Sequence, residues 1–120
     1  MHMFRQTEMK VFQTGKAENG MMITDEAVTK ALSKGLFCDI PVILYRKEKT
    51  DYLKIYKQDE IIGVVKNIVD AHTNALIGEV IIWKDCSLEF EFKNYEIKVI
   101  NYDKETNTVH EFTPMAVYIS

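Results

Sequence analysis

Hydrophobic and polar positions alternate along most of this chain in short blocks, and only one stretch carries helical spacing. Residues 8–14 predict a first short strand, with Met9, Val11 and Gln13 alternating against Lys10 and Phe12. Residues 15–20 read as a turn. Thr24 then stands as an N-cap, followed by Asp25 and Glu26, whose carboxylates suit the positive end of a helix. Val28, Ala31 and Leu32 fall on one face, Lys30 and Lys34 place positive charge toward the far end, and Gly35 offers a C-terminal cap.

After that helix the pattern returns to strands. Residues 41–45, Pro-Val-Ile-Leu-Tyr, predict a buried strand with proline at its first position. Residues 46–60 are mostly Lys, Glu, Asp and Tyr and predict a flap or long loop, with an edge strand at 52–56. A hairpin follows, 60–69 turning through 70–74 into 75–83. Residues 86–92 alternate, with Leu88, Phe90 and Phe92 against Ser87, Glu89 and Glu91, which predicts a half-buried strand. A turn at Lys93 and Asn94 leads to a strand over 95–102 that pairs with it. A polar turn at 103–107 and strands at 108–112 and 115–119, separated by Pro114, complete the pattern. About seven short strands without strand-helix alternation predict a mainly β fold, a small antiparallel barrel or sandwich with one short helix covering an opening.

Composition narrows this without redirecting it. The 120 residues suit a single domain spanning 1–120, and 47% hydrophobic with 28% charged residues is enough to bury a core. A net charge of -3 exerts no global pull toward nucleic acid or anionic lipid. Cys38 and Cys86 are too few to staple the chain and lack metal-site spacing, so reduced thiols and a cytoplasmic setting are expected. No apolar run approaches the roughly 20 residues that span a bilayer, and no leader-like opening is read, so no membrane association is expected.

Candidate chemistry is sparse. His2, His72 and His110 are scattered, with His72 in a predicted turn, so no metal site is expected. The five glycines do not form a phosphate loop, and no cofactor is expected. The stretch from Tyr45 to Lys57 interleaves Arg46, Lys47, Lys49, Lys54 and Lys57 with Tyr45, Tyr52 and Tyr56, against only Glu48 and Asp51. Small barrels bind single-stranded nucleic acid by combining cationic grooves with stacking aromatics, and these residues offer that chemistry. A solvated loop explains them with fewer assumptions, and the acidic remainder of the chain weighs against it. Ser87, His110 and Glu111 supply the residue types of a serine hydrolase, which needs a hydroxyl, a base and an orienting group.

Taken in order, several segments resemble the prohead (capsid maturation) proteases of tailed phages, whose fold is shared with the herpesvirus assemblin proteases. Residues 20–36, beginning Gly-Met-Met-Ile-Thr-Asp-Glu-Ala-Val, are similar to that family's entry into its early helix. Ile40-Pro41-Val42-Ile43-Leu44 and Ile61-Ile62-Gly63-Val64-Val65 resemble the strands that bracket its active-site loop. Asp85-Cys86-Ser87-Leu88-Glu89-Phe90 falls where the family places its nucleophilic serine, and the segment from His110 to Val117 resembles its closing strand. The resemblance implies Ser87 as nucleophile and Glu111, or His110 beside it, as the orienting third member.

Two departures bear on activity. The family's histidine base follows the strand that resembles 41–44, where this chain has Tyr45 and Arg46, whose pKa values of about 10 and above leave no neutral base at pH 7. Two positions after the serine, Glu89 replaces a glycine, and an inward carboxylate would oppose a developing oxyanion. The expectation is therefore a noncatalytic phage- or prophage-derived assembly protein, with head proteins or further copies of itself as partners. A serine endopeptidase of capsid maturation using Ser87 and a single-strand nucleic-acid binder are the alternatives.

Overall fold

The computed structural model describes residues 4–16, 20–45, 61–72, 74–84 and 88–120. They form β1 (Arg5–Gln13), β2 (Gly15–Lys16), β3 (Met22–Ile23), α1 (Asp25–Ser33), β4 (Ile40–Leu44), β5 (Ile61–His72), β6 (Ala75–Ile82), β7 (Phe92–Asp103) and β8 (Thr108–Ile119). The expected mainly β architecture with one short helix is present as a nearly closed, barrel-like sheet. Its strands follow one another as β1, β6, β5, β4, β8, then β3 and β2, with β7 on the other edge of β8. The sheet is mixed: β3 and β4 both run parallel to β8, while the other pairs are antiparallel.

The two parallel pairs explain the helix. Met22 and Ile23 pair with Thr108 and Val109, and Val42, Ile43 and Leu44 pair with Val117, Tyr118 and Ile119, so β3 and β4 occupy opposite ends of the same β8 edge. Between them α1 fills the stretch of edge that has no strand. The Thr24 hydroxyl accepts the Ala27 N–H at 3.0 Å. At the other end Leu36 N–H donates to Ala31 O and Gly35 N–H to Leu32 O, a Schellman closure with Gly35 at φ +67°. Ala27, Val28 and Ala31 are buried against the sheet.

The core is apolar throughout, with no buried polar or charged residue among those described. Its centre is aromatic: the Phe12 ring lies 5.3 Å from that of Phe112, 5.2 Å from Phe37 and 4.2 Å from Tyr95. A smaller cluster of Ile43, Ala116 and Tyr118 occupies the opposite face of β4 and β8, so the end of β8 is buried on both sides.

Five expectations about individual strands and turns change. The strand over 86–92 is not formed: 88–91 lie outside any strand, Leu88 is exposed, and 85–87 fall outside the described residues. Glu91 instead exchanges two backbone hydrogen bonds with Ser120, and β7 pairs with β8. Lys93 and Asn94 are not a turn but lie inside β7, where the register shifts between Phe92 and Asn94. Pro114 does not divide the closing segment, because it sits beside a register shift between Glu96 and Ile97, the kind of irregularity that spares a strand proline a ladder bond. Phe12 is not on a polar face with Lys10, since a shift between Lys10 and Phe12 turns both Val11 and Phe12 into the core. The turn expected at 70–74 is also tighter, with β5 continuing to His72 and Asn74 at φ +65°. The segment 46–60, with its expected edge strand, lies outside the described residues; it links the paired ends of β4 and β5.

No helix among the described residues is long and apolar enough to cross a membrane.

Gly63 is demanded by packing. A Cβ there would stand 2.4 Å from the carbonyl oxygen of Ile81 on the paired strand, whereas at Gly78 the nearest atoms are Val11 methyls at 3.0 and 3.1 Å. Backbone cannot yield as a side chain can. Gly63→Ala should therefore cost about 2–4 kcal/mol in urea unfolding and more than Gly78→Ala. Phe112→Ala, which removes the ring stacked on Phe12, should cost about 3–5 kcal/mol by the same measurement.

Candidate functional site

The closing strand β8 carries two of the three candidate hydrolase residues, and its irregularities set their surroundings. Asn101 pairs with Glu111 and Tyr102 with Val109, which leaves His110 as an extra residue on β8, exposed to solvent. Glu111 is half-buried and turned to the helix. Its Oε1 accepts from Lys30 Nζ at 2.7 Å and its Oε2 from Lys34 Nζ at 3.3 Å. The lysines stand one helical turn apart, so one carboxylate receives both ammonium groups, one on each oxygen.

This clamp sets the charge of Glu111. The hydrogen bond from Lys30, then that from Lys34, holds its carboxyl below the usual carboxylate range, with the two positive charges adding to the effect against a partial loss of solvation. A carboxylate occupied in this way is poorly placed to accept the N–H of a histidine base and orient it.

The other sequence candidates lie elsewhere. Ser87 lies outside the described residues, as do Arg46, Lys47, Lys49, Tyr52, Lys54, Tyr56 and Lys57. The chain on either side of 85–87 can be placed. Arg5, Ile82, Gly63, Val42 and Val117 pair in a row across the sheet, so β6 ends level with Val117, and Glu91 pairs with Ser120. His110 and Glu111 lie in the other half of β8, with Glu111 six residues before Val117, roughly 20 Å of extended strand. Glu89, where the resemblance leads one to expect a glycine, has its side chain 97% exposed and 3.9 Å from Arg5 Nη1, so it does not point into a cleft. Tyr45, where the resemblance leads one to expect a base, is exposed, and its backbone N–H donates to Ile119 O at 2.7 Å. Cys38 is an exposed free thiol. Among the described residues no three His, Cys, Asp or Glu side chains come together as a metal site would require.

Lys30 and Lys34 are the residues that sequence reasoning assigned only to the helix. Their spacing is visible as charge on the last turn, but the partner stands 81 and 77 positions away and only the packing of α1 on β8 brings it there. No protein-family model, curated protein or solved structure matches this chain.

The lowered pKa has a definite sign in stability. The folded state holds the Glu111 proton less tightly than the unfolded chain, so the stabilisation is present above the unfolded value of about 4.3 and disappears as pH falls through the lower folded value. Glu111→Gln should be less stable than the parent near neutral pH, with the difference closing in acid. Thermal melting of both proteins across that range checks it, and a constant offset at every pH would contradict the ion-pair origin.

Proposed function

We propose that this chain is a noncatalytic structural or assembly protein of phage or prophage origin, built on a prohead-protease-like fold and acting through its surfaces. The observation that carries this reading is the state of Glu111, whose carboxylate is held by Lys30 and Lys34. A residue in the position of a catalytic orienting group has become part of the seam between helix and sheet. Tyr45 in the position of the family's base supports the same conclusion, because a phenol does not take a serine proton at neutral pH. The segments of the resemblance, taken in order from the helix entry through the Gly63 strand to the closing strand, are what supports the family origin. Head proteins or further copies of the chain are the partners this role requires.

The test is incubation of the purified protein with tailed-phage head proteins, followed by co-sedimentation and intact-mass measurement. The expected result is co-assembly with every mass unchanged. Cleavage of the chain or of a head protein, abolished by Ser87→Ala, would instead establish the serine endopeptidase. Binding of a single-stranded oligonucleotide at low salt, lost steeply as salt rises, would establish the nucleic-acid reading through Tyr45 to Lys57. A monomer that ignores head proteins would remove the assembly role.

A further inference from the structure

Among the described residues the barrel is open along one line. Strand β7 pairs with β8 on one edge, and on the other it meets β1 through side chains, with Lys10 Nζ 5.1 Å above the Phe92 ring and Phe12 against Tyr95. β1 ends at Gln13, and the chain leaves through β2 to join β3 across the fold. Beyond Tyr95, no strand among the described residues pairs with this edge of β7. Unpaired edges are normally blunted, because their free N–H and C=O groups template further pairing. Here the edge displays Val99 (39% exposed), Ile100 (52%) and Tyr102 (41%).

The pairing with β8 shows how those side chains are arranged. Lys98 pairs with Thr113, Val99 with Phe112, Asn101 with Glu111, Tyr102 with Val109 and Asp103 with Thr108, so Ile100 is an extra residue on β7. Directly paired residues share a face of the sheet. Val99 and Tyr102 are therefore on the face of the buried Phe112 and Val109, and Lys98 and Asp103 are on the other. In a regular strand, residues five apart lie on opposite faces. The bulge at Ile100 brings the cation and the anion onto the same one.

We propose that β7 joins β7 of a second copy of this chain by antiparallel strand addition about a two-fold axis at the Ile100 bulge. That axis sets Lys98 of each copy opposite Asp103 of the other, and Val99 opposite Tyr102, so each complementary pair forms twice. Moving the axis one position toward Glu96 sets Glu96 opposite Asp103 twice, placing like charges together, and moving it the other way sets Lys98 opposite Glu105, beyond the end of β7 at Asp103, so charge disfavours the first shift and strand length the second. A second copy is the occupant because the strand complements itself. The interface deepens the assembly role proposed above and takes its biological meaning from it.

Sedimentation velocity over a wide concentration range tests the interface on the full chain. The expected result is a concentration-dependent dimer, with Lys98→Glu raising its dissociation constant about tenfold or more and Lys98→Glu/Asp103→Lys restoring it. Asp103 also accepts the Glu105 N–H at 3.0 Å, so its replacement can loosen the turn. Val99→Lys therefore gives an independent arm, expected to leave the melting temperature nearly unchanged while abolishing the dimer. A chain that stays monomeric at every concentration, or a dimer indifferent to both Lys98→Glu and Val99→Lys, overturns the proposal. Such a monomer that still co-assembles with head proteins would leave the assembly role standing without this interface. A β7 dimer that ignores head proteins would support the interface and confine the assembly role to self-association.

Discussion

The fold depends on an aromatic contact at the place where its sheet fails to close. β1 and β7 approach without a backbone ladder among the described residues, and what joins them is the Phe12 ring, packed against Tyr95 on β7, Phe112 on β8 and Phe37 after the helix. Burial of a side chain of this size contributes about 1.5–3 kcal/mol, and favourable ring pairs add about 0.5–1.5 kcal/mol each. One ring at the seam thus holds together elements drawn from the beginning, middle and end of the chain. Burial also raises the Tyr95 phenol pKa, as expected where the ring has been drawn into the cluster.

Strand β8 organises the rest. On one edge it receives β7 in antiparallel pairing, and on the other β3 and β4 in parallel, with α1 between them. The helix cannot complete a backbone ladder, so its attachment falls to side chains: Ala27, Val28 and Ala31 below, and Lys30 and Lys34 on Glu111 at the rim. The closing strand's carboxylate is thereby committed to holding the helix in place, which is a structural role at a position where a catalytic one was conceivable.

Local irregularity is how this sheet distributes its side chains between core and surface. Register shifts punctuate β1, β5, β7 and β8, each turning the residues beyond it to the other face. At Val11 and Phe12 the shift doubles the apolar contribution of β1. At His110 it expels a histidine to solvent, and at Ile100 it gives the open edge its charge pattern. The same device serves packing in one strand and surface recognition in another.

The elements whose signals are local can be read from the chain. Thr24, the acidic first turn and Gly35 delimit α1 because capping groups act within a few residues of the backbone they satisfy. The apolar alternation of 75–82 marks β6 because a half-buried strand repeats every second residue. Which strands meet is set by long-range packing. Leu88, Phe90 and Phe92 alternate as well as β6 does, yet Leu88 is left exposed because Ser120, not a neighbouring hairpin strand, takes the backbone of Glu91. Pro114 reads as a break and lies within a strand because a bulge removes the need for its missing N–H. The partners of Glu111 were equally hidden, since pairing across some eighty residues is set by strand order, and strand order leaves no periodic trace in the chain.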